Sequence, residues 1–420
     1  MTETVQAPDT PRALPLANAA LAAGLLANAA GQSLLFVLLP PLGRRLGFSD
    51  IQTGALLSLS ALLLIVSAPA WGYASERIGR RPVLLLGLAA ATGAPLLFAG
   101  IASARLDGAI GVVLALAAFG LVRGVQALAG GGLLPVAQAY MADTTPPGER
   151  AGGMGLLGAA YGIGAILGAA VAWGLGGTTP ALAFGVVAGL GMAGLAAVAL
   201  ATPEPVRGGD GDATGGAADG AVSLAAVWPF LLVTLLAITA YGLLQQVMAL
   251  RLQDAWGFST QEATSAAGGI MMATSFIMIL VQGIGLRLLR WAPAQLLRSG
   301  ALLAMLALAL ATLARGRWEL LAGWELLAAM GLFGAGIGLM LPGNLASLSL
   351  RAGPRAQGRV AGLNAVGQGI GLSLGPILGA SLHQMSPTVP FLAALLLLAL
   401  VSATAIVATA TGPDNSAVQP

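Results

Sequence analysis

The chain has 420 residues, of which 57% are hydrophobic and only 8% charged, with a formal net charge of +3. A soluble domain carries about 25% charged residues, so a water-exposed fold of this composition could not cover its own surface, and lipid must be the solvent for much of it. Every basic residue is an arginine and there is no cysteine; the first, beside the Ala and Gly richness, reflects a GC-rich genome and not nucleic-acid binding, and the second excludes a disulfide framework or a thiolate metal site.

Residues 1–15 hold Glu3, Asp9 and a single Arg12. That is not the positive n-region of a signal peptide, so the segment is expected to be a cytoplasmic tail before a retained first helix. A membrane crossing needs roughly 20 mostly apolar residues. Twelve runs qualify: 16–41, 51–74, 83–103, 109–136, 152–175, 180–201, 223–249, 263–286, 294–314, 320–345, 359–384 and 387–411. Glycines are frequent inside them, and in lipid small residues let helix backbones approach closely. Between the sixth and seventh runs, residues 202–222 include GGDGDATGGAADG. This stretch is Gly-rich, acidic and without apolar periodicity, which predicts a flexible cytoplasmic linker. It divides the chain into a first six-helix bundle at 16–201 and a second at 223–411, with a tail at 412–420. The expected class is an all-α membrane protein.

Orientation follows from arginine placement. With both termini cytoplasmic, Arg12, Arg77, Arg80, Arg81, Arg150, Arg207, Arg287, Arg290, Arg298, Arg351, Arg355 and Arg359 face inward, and Arg44, Arg45, Arg105, Arg251, Arg315 and Arg317 face outward. Twelve against six selects that topology.

The halves are related by an internal repeat. A shift of 211 residues places Ala117-Ala118-Phe119-Gly120-Leu121 on Ala328-Ala329-Met330-Gly331-Leu332, and Gly164-Ala165-Ile166-Leu167-Gly168-Ala169 on Gly375-Pro376-Ile377-Leu378-Gly379-Ala380. A shift of 210 places Gly47-Phe48-Ser49 on Gly257-Phe258-Ser259. A parallel duplication of six helices implies a pseudo-twofold axis along the membrane normal, with the substrate path between the halves.

The loop after the second run reads Gly72-Tyr73-Ala74-Ser75-Glu76-Arg77-Ile78-Gly79-Arg80-Arg81-Pro82. On charge alone it is a tight positive-inside turn, in which Glu76 can pair with the arginines or with a helix N-terminus. The run closely resembles the loop 2–3 signature of the major facilitator superfamily, G-x-x-x-D-R-x-G-R-R/K, with Glu76 in place of Asp. The resemblance implies a conformational latch built on Gly72, Glu76, Arg77, Gly79, Arg80 and Arg81, whose acid docks on the other half and favours the outward-facing state. Asp143 and Arg150, at the end of the fourth run and in the loop after it, look like that family's loop 4–5 and are expected to join the network.

Arg123-Gly124-Val125-Gln126 lies within the fourth run. An intramembrane charge costs at least ~2.5 kcal/mol, so Arg123 should face a cavity or a partner, or tie helices together through carbonyls. The pattern is similar to the family's R-x-x-Q-G, which implies proton coupling or contact with an anionic substrate. Gly164 and Gly168 lie in a span-five pattern that looks like the antiporter motif G-P-x-x-G-G, with Ala165 in place of its proline. Gly375, Pro376 and Gly379 in the eleventh run keep that proline. Ordinary small-residue packing accounts for most of these glycines.

Polar side chains inside spans are the candidates for the substrate path: Asn28, Gln32, Arg123, Gln126 and Tyr161 in the first half, and Tyr241, Gln245, Gln246, Gln282, Asn344, Asn364 and Gln368 in the second. Each is equally suited to an interhelical hydrogen bond. Met248, Met271, Met272 and Met278 are candidates for an adaptable apolar wall or for core. No carboxylate falls near the middle of any run; Glu325 and His383, near span ends, are read as solvated helix ends. No phosphate-binding loop or metal-ligand spacing is present, so no cofactor is expected and the chain is not an enzyme. The resemblance implies a monomeric bacterial inner-membrane transporter with lipid, protons and a small organic molecule as partners. Proton-coupled efflux of drug-like compounds is the first expectation. The alternatives are a uniporter or symporter for a metabolite such as an organic anion, and a transport-inactive sensor of the same fold.

Overall fold

Each apolar run forms a helix, because in lipid only internal hydrogen bonds satisfy the backbone. The structure, a computed structural model, describes residues 13–146, 149–205, 224–313, 322–352 and 357–410. Among these, twelve helices are long and apolar enough to cross a membrane: α1 Leu16–Leu46, α2 Asp50–Ile78, α3 Arg80–Leu106, α4 Val112–Thr144, α5 Gly152–Gly176, α6 Pro180–Ala201, α7 Ala226–Trp256, α8 Thr260–Leu289, α9 Pro293–Leu313, α10 Trp324–Ala352, α11 Arg359–His383 and α12 Val389–Thr409. The start of α1 and the end of α12 lie on one face, here called the terminal face; the opposite one is the distal face.

Several helices outlast their apolar runs, α1 by about one turn and α4 and α7 by two. Their ends are set by capping rather than by loss of hydrophobicity. Gly47 and Gly257 adopt positive φ (85° and 71°) after α1 and α7, a left-handed turn that glycine makes without strain. Ser49 and Ser259 then open α2 and α8 with reciprocal capping boxes to Gln52 and Glu262. The repeated Gly-Phe-Ser is thus a helix stop and a helix start. Residues 202–205, expected to begin a flexible linker, are anchored: Thr202 is buried and the Tyr140 hydroxyl donates to the Pro203 carbonyl at 3.0 Å. The rest of the expected linker and the tails, with Arg12, Arg207, Arg315, Arg317 and Arg355, lie outside the described residues.

Helix neighbours repeat between the halves. In the first, α1 packs on α5 and α6, α3 on α4 and α6, and α2 on α4; in the second, α7 packs on α11 and α12, α9 on α10 and α12, and α8 on α10. The seams joining the halves also correspond, α2 against α11 and α5 against α8. Glycines set the closest approaches. A Cβ on Gly164 or Gly168 would stand 2.2 Å from the carbonyl oxygens of Leu26 and Ala30 on α1. One on Gly375 or Gly379 would meet the α7 backbone within 2.9 Å. These are the paired motifs of the repeat, doing the same packing in each bundle. Outward-facing apolar side chains such as Val113, Leu200 and Leu306 remain exposed, as a lipid-facing surface requires.

Candidate functional site

Where the first half faces α11 lies a small polar cleft, lined by Asn28, Gln32 and Phe36 of α1, Ser60, Ala61 and Leu64 of α2, Arg123 and Gln126 of α4, and Leu372 of α11, among others. Arg123 and Gln126 share a helix face through their i, i+3 spacing. Arg123 Nη1 donates to Gln126 Oε1 at 2.7 Å, and both side chains are buried. Arg123 Nε has no hydrogen-bond partner, and no carboxylate pairs with this arginine among the described residues. The Tyr161 hydroxyl approaches Gln32 Oε1 at 3.4 Å. Five sequence candidates therefore gather at one place: Asn28, Gln32, Arg123, Gln126 and Tyr161.

The candidates of the second half are divided. Tyr241 stacks on Phe333 at 6.4 Å between ring centroids, and Gln245, its neighbour one turn on, is half-buried. Gln368 is exposed, one turn from Leu372 on the same face of α11. Gln246 and Asn364 are committed to packing. Gln246 Nε2 donates to Thr53 Oγ1 across the halves at 3.1 Å. Asn364 Oδ1 accepts from Thr234 Oγ1 at 2.7 Å, and Thr234 Oγ1 in turn accepts from Asn344 Nδ2. Met248 and Met271 are fully in the core.

A second polar assembly, absent from the sequence reading, joins the halves at the distal face. Arg44 donates to both carboxylate oxygens of Asp50 (2.8 and 2.8 Å), to both of Asp254 (2.7 and 2.7 Å) and to Gln253. His383 Nε2 lies 2.8 Å from Asp254 Oδ2. Arg44 and Asp50 belong to the first half, Asp254 and His383 to the second, so the cluster ties the halves together. His383 was expected to be a solvated helix end; it is 4% exposed, because α7 and α2 cover the end of α11. Glu325, in the first turn of α10, is exposed as expected. A sequence signal for the cluster existed. Shifted by 210 residues, Arg44 falls on Asp254, so two repeat-related positions carry opposite charges, and such positions meet if they lie near the pseudo-twofold axis.

Near these groups the seams are tight. A Cβ on Gly54 of α2 would stand 2.7 Å from the Pro376 carbonyl oxygen. Ser373 Oγ donates to the Ser58 carbonyl at 3.1 Å. Toward the terminal face the exposure of α2 and α11 rises, with Val66 68% and Val366 45% exposed.

At the terminal face the α2–α3 turn depends on Gly79, at φ 106°. The carboxylate that docks there is not Glu76 but Glu204, which accepts the backbone N–H groups of Arg80 (2.6 Å) and Arg81 (2.9 Å) at the start of α3. A helix N-terminus favours an anion in this position. Arg80 pairs with Asp143 at 3.1 Å and donates to Ser75 Oγ at 2.6 Å. Arg81 reaches the Ala199 carbonyl, Arg77 stacks on Tyr73, and Arg150 donates to the Thr145 carbonyl. Gly72 is half-buried on α2, and Glu76 is exposed. The network expected to include Glu76 and Arg150 is thus centred on Arg80 and Asp143 of the first half and on Glu204, in the anchored start of the linker. Glu204 escaped notice because it lies about 125 residues along the chain from the turn it caps.

Comparison with known proteins adds three findings. Residues 21–376 match the sequence family described as Major Facilitator Superfamily. The tetracycline resistance protein, class G, of Vibrio anguillarum is 40% identical over 153 residues, 36% of each chain; the chain thus matches about a third of the length of such relatives. Among solved structures, a bacterial homologue of the human lysosomal transporter Spinster, in an inward-facing and unoccupied conformation, superposes with a TM-score of 0.72 at 17% identity, covering 96% of this chain and 98% of that one. The human organic anion transporter MFSD10 (TETRAN) gives 0.62 at 20% identity, covering 94% and 100%.

Proposed function

This chain belongs to the major facilitator superfamily, and on that premise we propose that it is a secondary transporter of a bacterial inner membrane, exporting small amphipathic or drug-like molecules in exchange for protons. The arginine asymmetry makes the terminal face cytoplasmic. The observation that carries the reading is the polar cleft beside Arg123, which meets the second half at Leu372, while the Arg44 cluster joins the halves at the distal face. Access alternates as the halves rock about the matched α2–α11 and α5–α8 seams, and Glu76, exposed in this conformation, becomes the docking acid when the terminal face closes. The cleft is complete within one chain, so a monomer suffices.

Arg123 supports a second reading. A buried cation without a carboxylate partner suits a substrate bearing an acidic group, which would be carried by uniport or symport.

Reconstituted proteoliposomes test both. Tetracycline, named by the bacterial relative, is the first compound to try. Export by exchange predicts that adding it dissipates an imposed pH gradient. Flux without change in the gradient selects the uniport reading. Ligand-induced thermal stabilisation with no flux for any compound bound would leave a sensor and reject transport.

A further inference from the structure

Asp50, Arg44, Asp254 and His383 form a row of neighbouring groups spanning the two halves. We propose that His383 is a proton-binding release for the distal closure: a proton taken from the distal solution charges its ring, which then competes with Arg44 for Asp254 and favours opening of that face. The inference rests on the transport reading for its purpose but not for its test.

Geometry supplies the competition. Arg44 Nη2 and His383 Nε2 reach the same oxygen, Oδ2 of Asp254, at 2.7 and 2.8 Å. With a neutral ring, Asp254 is a carboxylate whose one cationic partner is Arg44, across the seam. With a charged ring, Asp254 has a cation from its own half that stays with it when the halves part. Charging the ring also sets it against Arg44, its second neighbour in the row, more strongly than it attracts Asp50, the third, because Coulomb energy falls with distance.

The ring itself is buried. In the closed form the His383 side chain is 2% exposed, and a charged group withdrawn from water is penalised. Because Nε2–H donates to Asp254, the incoming proton must settle on Nδ1, which has no hydrogen-bond partner among the described residues. Water reaches the row from the distal side, since the Asp254 and Arg44 side chains are 36% and 28% exposed.

The remaining charges near the ring do not take over its role. Arg45 of α1 is exposed. Arg251, one turn before Asp254 on α7, lies over the Phe391 ring and donates to the Ala311 carbonyl, toward α9 and α12. Glu325 of α10 is exposed, and α12 carries no charged residue. Histidine is the side chain whose ordinary titration falls between about pH 5 and 8. The sign follows from the competition for Asp254: adding a proton to the ring weakens the closed face, so closure is favoured as pH rises. The outer side of an energised bacterial membrane is the acidic one, so acid there would favour the open form that releases an exported substrate.

The chain lacks cysteine, so one introduced pair gives a clean distance probe. Asp107→Cys and Gln384→Cys place spin labels on exposed distal positions, one in each half. In the full chain in lipid nanodiscs without substrate, lowering pH from about 8 to about 5 should raise the ratio of long to short distances about fivefold, as expected for a partly exposed charge interaction. His383→Gln, neutral at every pH, should stay short throughout. An unchanged pH response in His383→Gln overturns the proposal, and so does a flat response in the parent pair, whose two substitutions are both at exposed positions. Distances that respond to pH in a protein that carries no substrate would defeat the transport reading alone; flux with pH-insensitive distances would defeat only this inference.

Discussion

Arg44 and Arg123 both bring a positive charge to the seam between the bundles, yet among the described residues Arg44 is held between two carboxylates while Arg123 is bonded to the amide of Gln126 and to no carboxylate. The exposures run the other way: Arg44 keeps contact with the distal solution, whereas Arg123 is buried. An arginine with its counter-charges supplied by the protein is a fastener, and its cost of burial is already offset. One left without a carboxylate beside an open cleft retains donors for something that is not part of the chain. Under the proposed function the distal cluster is the conformational one and the central one binds ligand.

Substitutions can break that division. Arg123→Ala should lower substrate flux ten- to hundredfold, the range of about 1.5–3 kcal/mol for a lost hydrogen bond to a charged group, while the purified protein stays monodisperse. Normal flux would move ligand recognition elsewhere. Asp254→Ala should act on the other side of the comparison. Losing one partly exposed pair is worth about 1 kcal/mol, so the closed distal population should fall about fivefold by the label-distance measurement, with ligand affinity at the cleft little changed. A matching loss of affinity would mean that the two clusters are one site.

Exchanging the charges, Arg44→Asp with Asp254→Arg, sharpens the point. The pair is repeat-related, but its surroundings are not: Asp50 would then face an aspartate and His383 an arginine. The double variant should remain as open as Asp254→Ala, and restored closure would show that the pair acts without its flanking groups. At the terminal face, Glu204→Ala should cost about 1 kcal/mol in thermal or denaturant unfolding, as loss of a helix N-cap does. Glu76→Gln should change stability by less than about 0.5 kcal/mol, as exposed substitutions usually do. Equal effects from these two would remove the distinction between the acid that caps α3 and the acid left exposed.

Much of the fold was legible because lipid leaves few choices. Runs of about 20 apolar residues become crossings, and the repeat of Gly164 and Gly168 in Gly375 and Gly379 carries the matched packing in the sequence itself. The candidate site was legible in its first half, where Arg123 and Gln126 lie three residues apart on one helix. It was less so in the second. Gln246 and Asn364 have the same character in sequence as Gln32, and only their neighbours, Thr53 and Thr234, assign them to packing.

Twelve crossings, two related bundles and the intramembrane arginine follow from the chain alone, because hydropathy, repeat register and local spacing are properties of a linear string. Which charges meet does not follow. Arg44 and Asp254 are 210 residues apart, Asp254 and His383 129, and Glu204 lies 124 from the Arg80 amide. Those partnerships arise when helices pack at fixed angles and bring distant ends to the same face, and that packing is decided by the whole fold.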